Sequence, residues 1–243
     1  MPLPAVLRSE WMKFRSLRSL QLALAGGLVA TTGITVLVRA TSGGPEDDAA
    51  DFDPVFASFF GLNFGQIAAI CFGVLAVTAD QAHGGARIWL AAVPRRGLYY
   101  GGKLAVTGGL ALTAGLVTGF TSLLGGQLAL GADGVGLGAT GALRAALGCG
   151  LYLALLTVMA AGVATVVRGA VGALGLLIPV TCFLAPVLGT GGAVSFLPDQ
   201  AGQQVLHAHP EGPLGAGTGL AVLAAWTAVA VYAGLRALRG RDA

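Results

Sequence analysis

The sequence predicts an all-α membrane protein: a single transmembrane domain, residues 1–243, with six crossing helices. Three observations carry this. Six apolar stretches run along the chain. Each is close to the length of about 20 residues that a helix rising about 1.5 Å per residue needs to cross a hydrocarbon core about 30 Å thick. Only 10% of the residues are charged and 55% are hydrophobic, whereas a soluble domain usually carries about 25% charged residues. The segments between the stretches also alternate in charge, basic segments following acidic or neutral ones.

In order, the predicted spans are 20–38, 55–79, 104–130, 145–167, 169–188 and 214–235. Before them, residues 1–19 form an amphipathic lead. Leu3, Leu7, Trp11 and Phe14 recur there at helical spacing on one face, Arg8 and Arg15 flank that face, and Lys13 lies opposite. Basic flanks and an aromatic residue suit a helix lying in the membrane interface, as a lever or as an orientation anchor. The first apolar run of 19 residues, 20–38, exceeds the core of about 7–15 residues of a cleavable signal, so it is kept as a membrane helix. The loop 39–54 is rich in Gly, Pro and Asp and reads as solvated.

Asn63 and Gln66 in the second span, and Gln127 late in the third, place amides in hydrocarbon. Each then needs a partner, either across a helix contact or along a polar path. Gly61-x-x-x-Gly65 and Gly115-x-x-x-Gly119 have the spacing that lets two helix backbones approach closely. In the inner segment Asp80–Lys103, Gly84-Gly85 breaks the helix and Ala86–Val93 can form a short coupling helix exposing Ile88, Trp89, Leu90 and Val93. Pro94-Arg95-Arg96-Gly97 stops it. An apolar, aromatic surface in so short a loop points to a protein partner or the lipid interface. Arg168-Gly169 predicts a tight turn, Pro179 and Pro186 predict kinks in the fifth span, and Ser195–Pro213 predicts an outer loop that dips into the membrane and returns.

The charge distribution orients these elements. Of the 14 basic residues, only Arg39 and Arg144 fall in the predicted outer segments, while Glu46, Asp47, Asp48, Asp51 and Asp53 crowd the first outer loop. Basic residues stay on the cytoplasmic side. Both termini are therefore expected in the cytoplasm and the number of crossings is even, in a multi-pass protein of the plasma membrane. Because the basic residues are divided among separate membrane-edge segments, they argue against nucleic-acid binding.

Chemical motifs are weak. Gly97-x-x-x-x-Gly102-Lys103 approaches a phosphate-binding loop, but Leu104 stands where a magnesium-binding Ser or Thr belongs. Gly136-x-Gly138-x-x-Gly141 lacks the strand and helix of a dinucleotide site. His207-x-His209, near Asp199 and Glu211, has no fixed third ligand for a metal. No Asp or Glu lies deep in a predicted span, so a buried carboxylate relay is not expected. Cys71, Cys149 and Cys182 all fall in predicted spans and read as small packing residues. No catalytic, cofactor or metal site is expected, and the chain is not expected to be an enzyme.

Four segments nevertheless resemble a known family. Leu7-Arg8-Ser9-Glu10-Trp11-Met12-Lys13-Phe14-Arg15-Ser16 is similar to the opening L-R-S-E-W-T-K-L-R-S of the permease subunits of type-2 ATP-binding-cassette transporters of actinobacteria. Asp53-Pro54 before the second span is common there. Ile88-Trp89-Leu90-Ala91-Ala92-Val93-Pro94-Arg95-Arg96-Gly97 resembles the family's I-R-x-S-L-A-A-V-P-R-R run, and Phe196-Leu197-Pro198-x-x-Ala201-Gly202-Gln203 its last outer loop. One segment departs: where the family often reads G-E-Y-x-x-G-T, this chain has Ala79-Asp80-Gln81-Ala82-His83-Gly84-Gly85.

The resemblance implies a chain without a nucleotide site of its own, driven by a separate cytoplasmic ATPase and paired with a second permease copy or homologue in the bilayer. Arg87, Ile88, Trp89, Leu90, Val93, Arg95 and Arg96 would then meet the ATPase. A transporter or channel that uses no ATP, and a membrane scaffold or sensor, are the alternatives. The lack of buried charge in the spans and of an evident internal repeat weighs against the former.

Overall fold

The computed structural model describes residues 3–42, 52–79, 96–131, 134–136, 138–189, 192–210 and 213–240. Among these residues the protein is all-helical and contains no strand. In chain order the helices are α1 (Leu3–Ser16), α2 (Arg18–Ser42), α3 (Pro54–Ala57), α4 (Leu62–Thr78), α5 (Arg96–Leu130) and α6 (Ala142–Val167). There follow α7 (Ala170–Cys182), α8 (Leu184–Leu188), a 3-10 turn (Gly192–Phe196), α9 (Pro198–Gln203), a second 3-10 turn (Gln204–Leu206) and α10 (Ala216–Arg239). Four of these, α2, α5, α6 and α10, are long and apolar enough to cross a membrane. Leu22, Val29 and Leu37 on α2, Leu128 on α5, Val171 on α7 and Val229 on α10 stand exposed, an apolar exterior suited to lipid.

The other two predicted spans are shorter or interrupted. Residues 55–79 divide into α3 and α4, because Asp53 caps α3 with Oδ1, accepting from the Val55 and Phe56 amides at 2.9 and 3.0 Å, and the chain turns through Ser58–Gly61 before α4 begins. Pro54 occupies the first turn of α3, where no N–H is needed. Residues 169–188 divide into α7 and α8 at Phe183. The break leaves Pro186 in the first turn of α8, so its missing N–H costs no helical bond there. Pro179 stays inside α7.

The long helices also overrun their predicted ends. α5 has 35 residues and begins at Arg96 rather than at Leu104. At 1.5 Å per residue it is about 50 Å long, more than a hydrocarbon core requires. Its first turns receive α1: Gly102 lies so close to Val6 that a Cβ would sit 2.7 Å from Val6 Cγ1. The predicted turn after α6 is present, with Arg168 itself in the left-handed region at φ 66°.

The helices alternate in direction. The start of α2, the end of α4 and the start of α5 meet at the end that carries α1, and there Arg96 Nη1 donates to the Leu238 carbonyl at 2.8 Å, bringing in the end of α10. At the opposite end, Arg39 Nε donates to the Ala57 carbonyl at 3.0 Å and Gln127 Nε2 to the Pro54 carbonyl at 2.9 Å, joining α2, α3 and α5. α6 is the central helix, with Ala146, Cys149, Tyr152, Leu156, Ala160 and Ala164 all fully buried.

Both small-residue pairs serve as helix contacts. A Cβ on Gly61 or Gly65 would strike Thr31 of α2, and one on Gly119 would strike the Ala146 carbonyl of α6, with Gly115 similarly placed against Gly150. Such close backbone approach is the usual use of small residues between helices in lipid. Hydroxyls add to it: Thr32 of α2 meets Thr121 of α5 at 2.9 Å.

Candidate functional site: two buried polar clusters

Against this apolar background two polar clusters stand out, one at each end of the bundle. At the first, α1 turns a carboxylate inward. Glu10 Oε1 accepts from Lys13 Nζ at 2.6 Å and Oε2 from Lys103 Nζ at 3.0 Å. Lys103 Nζ also donates to the Ala76 carbonyl at 2.9 Å. Both ammonium groups lie 5.8 Å from the centre of the Tyr99 ring. Glu10 is 7% exposed and Lys103 only 3%, so this is a buried ion pair that binds α1 to α4 and α5 at once. Such a pair adds little net stability over an apolar substitute, yet it punishes the loss of either partner and so defines one arrangement.

α1 meets the bundle through a face beside its apolar one. Val6 and Glu10 are buried, Leu7 and Phe14 are half-buried, and Trp11 is 47% exposed. The packed face is rotated toward Glu10, and Lys13, expected on the opposite side, lies beside it. The Glu10–Lys103 pair fixes this face against α5 and leaves Trp11 on the outside. Phe14 does reach the body, edge-on to Phe72 at 6.2 Å. Gln21 Nε2 closes the end of α1 by donating to the Phe14 and Arg15 carbonyls at 3.2 and 2.9 Å.

The second cluster is built around Gln66 of α4, which is 1% exposed. Its Oε1 accepts from Tyr152 Oη at 2.6 Å and from Gln203 Nε2 at 3.4 Å. Its Nε2 donates to Asn63 Oδ1 at 3.3 Å and to Cys182 Sγ at 3.6 Å. Thus α4, α6, α7 and α9 converge on one amide. Asp199 of α9 belongs to the same region and is 2% exposed. Its Oδ2 accepts from Gln200 Nε2 at 3.0 Å, while Oδ1 has no hydrogen-bond partner. Burial pushes the Asp199 carboxyl above the usual carboxylate range, partly offset by Gln200 and the local backbone.

The segment 192–210 that carries Asp199 is pinned to the bundle on several sides. Asp53 Oδ2 accepts from the Ala208 amide at 2.7 Å, and Arg144 Nη2 donates to the His207 and Ala208 carbonyls. The His207 ring stacks on Phe56 at 3.8 Å, and Trp226 Nε1 donates to the Phe196 carbonyl at 3.0 Å. Beside it a pocket of about 510 Å3 opens between Asp53, Val135, Thr140 and His209.

Of the predicted polar residues, Asn63 and Gln66 therefore share one cluster. Gln127 belongs elsewhere. It donates to the Pro54 carbonyl and to Ser58 Oγ, both at 2.9 Å, and accepts from the Val135 and Gly136 amides at 2.7 and 3.1 Å. With all its capacity spent on these contacts, Gln127 is a staple between α3, α5 and the loop that follows α5. Of the predicted partner-contact residues, Arg87, Ile88, Trp89, Leu90, Val93 and Arg95 lie outside the described residues, and Arg96 is the first residue of α5.

Sequence reasoning missed the Glu10–Lys103 pair and the burial of Asp199. A carboxylate and an ammonium separated by 93 positions give no local signal, although Glu10 was one of the matched letters of the opening motif. Among the described residues no three His, Cys, Asp or Glu side chains converge. Comparison with protein-family models, with curated proteins and with solved structures returned no match.

Proposed function

We propose that this chain is the permease subunit of a type-2 ATP-binding-cassette transporter, exporting a small or amphipathic substrate with ATP hydrolysed by a separate subunit. Glu10 is the observation that carries the reading. It stands inside the opening segment that resembles the family, and it is the residue through which α1 grips Lys103 at the base of α5. A surface helix tied rigidly to a crossing helix can transmit a push from a cytoplasmic partner into the membrane domain.

In this reading the four long helices are joined as crossings by α3 with α4 and by α7 with α8, giving six, with both termini in the cytoplasm of a plasma-membrane protein. α1 lies in the interface with Trp11 toward lipid. Ala86–Val93 docks the ATPase through Arg87, Ile88, Trp89, Leu90 and Val93, with Arg95 and Arg96 at its end. A second permease copy or homologue completes the path. Nucleotide closes the ATPase dimer and biases an equilibrium between two packings of the helices, by contacts that differ between them.

The test is co-expression with candidate ATPases of that class, followed by detergent pull-down. Capture is expected, and Trp89→Glu with Arg95→Glu is expected to abolish it. Unchanged capture removes their role, and no capture by any candidate overturns the reading. Nucleotide-dependent movement of an amphipathic dye into inverted vesicles separates transport from scaffolding.

A further inference from the structure

Three acidic side chains lie among the described residues, and they meet three different fates. Glu10 is clamped between two ammonium groups. Asp53 accepts from three backbone amides and faces His207, whose Nδ1 is 3.7 Å from Oδ2. Asp199 is as hidden as Glu10 but is held only by the Gln200 side chain, on one oxygen, and by the local backbone, while the other oxygen is buried and has no hydrogen-bond partner.

Among the described residues, the groups facing Asp199 offer no cation. α9 packs against α6, α7, α10 and the two 3-10 turns. From α6 comes Tyr152, whose own neighbours are Cys149 and, from α7, Cys182. Arg144, in the first turn of α6, is committed to the His207 and Ala208 carbonyls. His207, just past the second 3-10 turn, lies beside Asp53 and stacks on Phe56. The ionisable residues of α10, Tyr232, Arg236 and Arg239, occupy its last turns at the opposite end of the bundle, and neither 3-10 turn carries an ionisable residue.

The seat also has no slack. Gly202, three residues on, is so close to Tyr152 that a Cβ would lie 2.5 Å from the ring. The bare oxygen is itself buried, so solvent does not reach it unless α9 moves. An unpaired carboxylate anion in such a place is strongly disfavoured, and ionisable groups so buried neutralise instead. The one cation small enough for the sealed oxygen is a proton.

We propose that Asp199 is a proton-binding site that controls the segment 192–210. The carboxyl holds a proton while α9 is seated against Tyr152. When the proton leaves to solvent, the carboxylate formed requires hydration, and α9 must lift from Tyr152 and Gln66 to obtain it. The packing at that end of the bundle thus changes with proton occupancy. The reverse coupling follows by linkage: any partner or substrate that lifts α9 lowers the affinity of Asp199 for its proton.

The test uses the purified full chain in lipid nanodiscs without an ATPase, so it stands or falls independently of the transporter reading. Infrared spectra recorded as pH is raised from acid are expected to show the C=O stretch of a protonated carboxyl persisting above the usual carboxylate range, lost in Asp199→Asn. Absence of that band in the native protein overturns the proposal, whatever the variant does. The second measurement is stability against pH. A folded-state carboxyl raised above its unfolded value of 3.8 binds its proton more tightly when folded. Stability is then full below that value and falls as pH rises toward the folded value. Asp199→Asn is expected to lose this component of the slope, and hydrogen exchange across 198–206, corrected for its intrinsic pH dependence, to rise with pH only in the native protein. Parallel profiles for the two proteins overturn the proposal.

Discussion

At the end of the bundle that carries α1, Glu10 is held between Lys13 and Lys103. At the opposite end Asp199 is hidden to the same degree, yet it faces an amide and a phenol. Both are carboxylates removed from water, and the difference lies in whether a counter-ion went in with them. A paired charge defines one arrangement and resists change. An unpaired one makes its own environment conditional on a proton. The first cluster is accordingly a joint and the second a place where the bundle can respond.

The comparison can be broken by mutation, and the largest effect is expected at the joint. Glu10→Gln leaves two ammonium groups facing each other in a buried site and is expected to destabilise the folded protein by about 3–5 kcal/mol, the usual cost of stranding a buried charge. Adding Lys103→Met should recover part of that loss. Denaturant unfolding in mixed micelles reads both, and a loss under about 1 kcal/mol for the single variant would show that the pair is not the lock.

A smaller effect is expected at the other cluster. Gln66→Leu removes the acceptor of the Tyr152 hydroxyl and the partner of Gln203. Stranding that hydroxyl should cost about 1–3 kcal/mol, with Tyr152→Phe in the same chain restoring much of it. If the double variant is no better than the single, the cluster is held by packing rather than by its hydrogen bonds.

The smallest effect is expected from Lys13→Ala. The Lys13 side chain is 20% exposed and Glu10 keeps Lys103, so the loss should stay below about 1 kcal/mol. A loss as large as that of Glu10→Gln would move the centre of the joint from α5 to α1 itself.

Much of the fold was legible in the chain. Long apolar runs must satisfy their backbone internally in lipid, so α2, α5, α6 and α10 follow from length and composition. The small-residue pairs were visible as spacings, but in a chain with 40 glycines the spacing alone did not mark them as contacts. The two divided spans were less legible. Asp53-Pro54 is a local start signal for α3, but the turn at Ser58–Gly61 depends on Thr35 of α2, whose Oγ1 accepts the Gly61 amide at 2.9 Å. Which face of α1 meets the bundle was not legible for a similar reason: it is set by a lysine 93 positions away that pairs with Glu10.

By itself the sequence determined that this protein is helical and apolar on the outside, because those properties depend on residues near one another along the chain. Only the tertiary structure decided which polar groups meet. Gln66 joined Tyr152 and Gln203 while Gln127 did not, and Asp199 was buried with no cation beside it among the described residues, although it lies outside every predicted span. Desolvation and pairing depend on what other segments bring to the same point in space, and no local pattern records that.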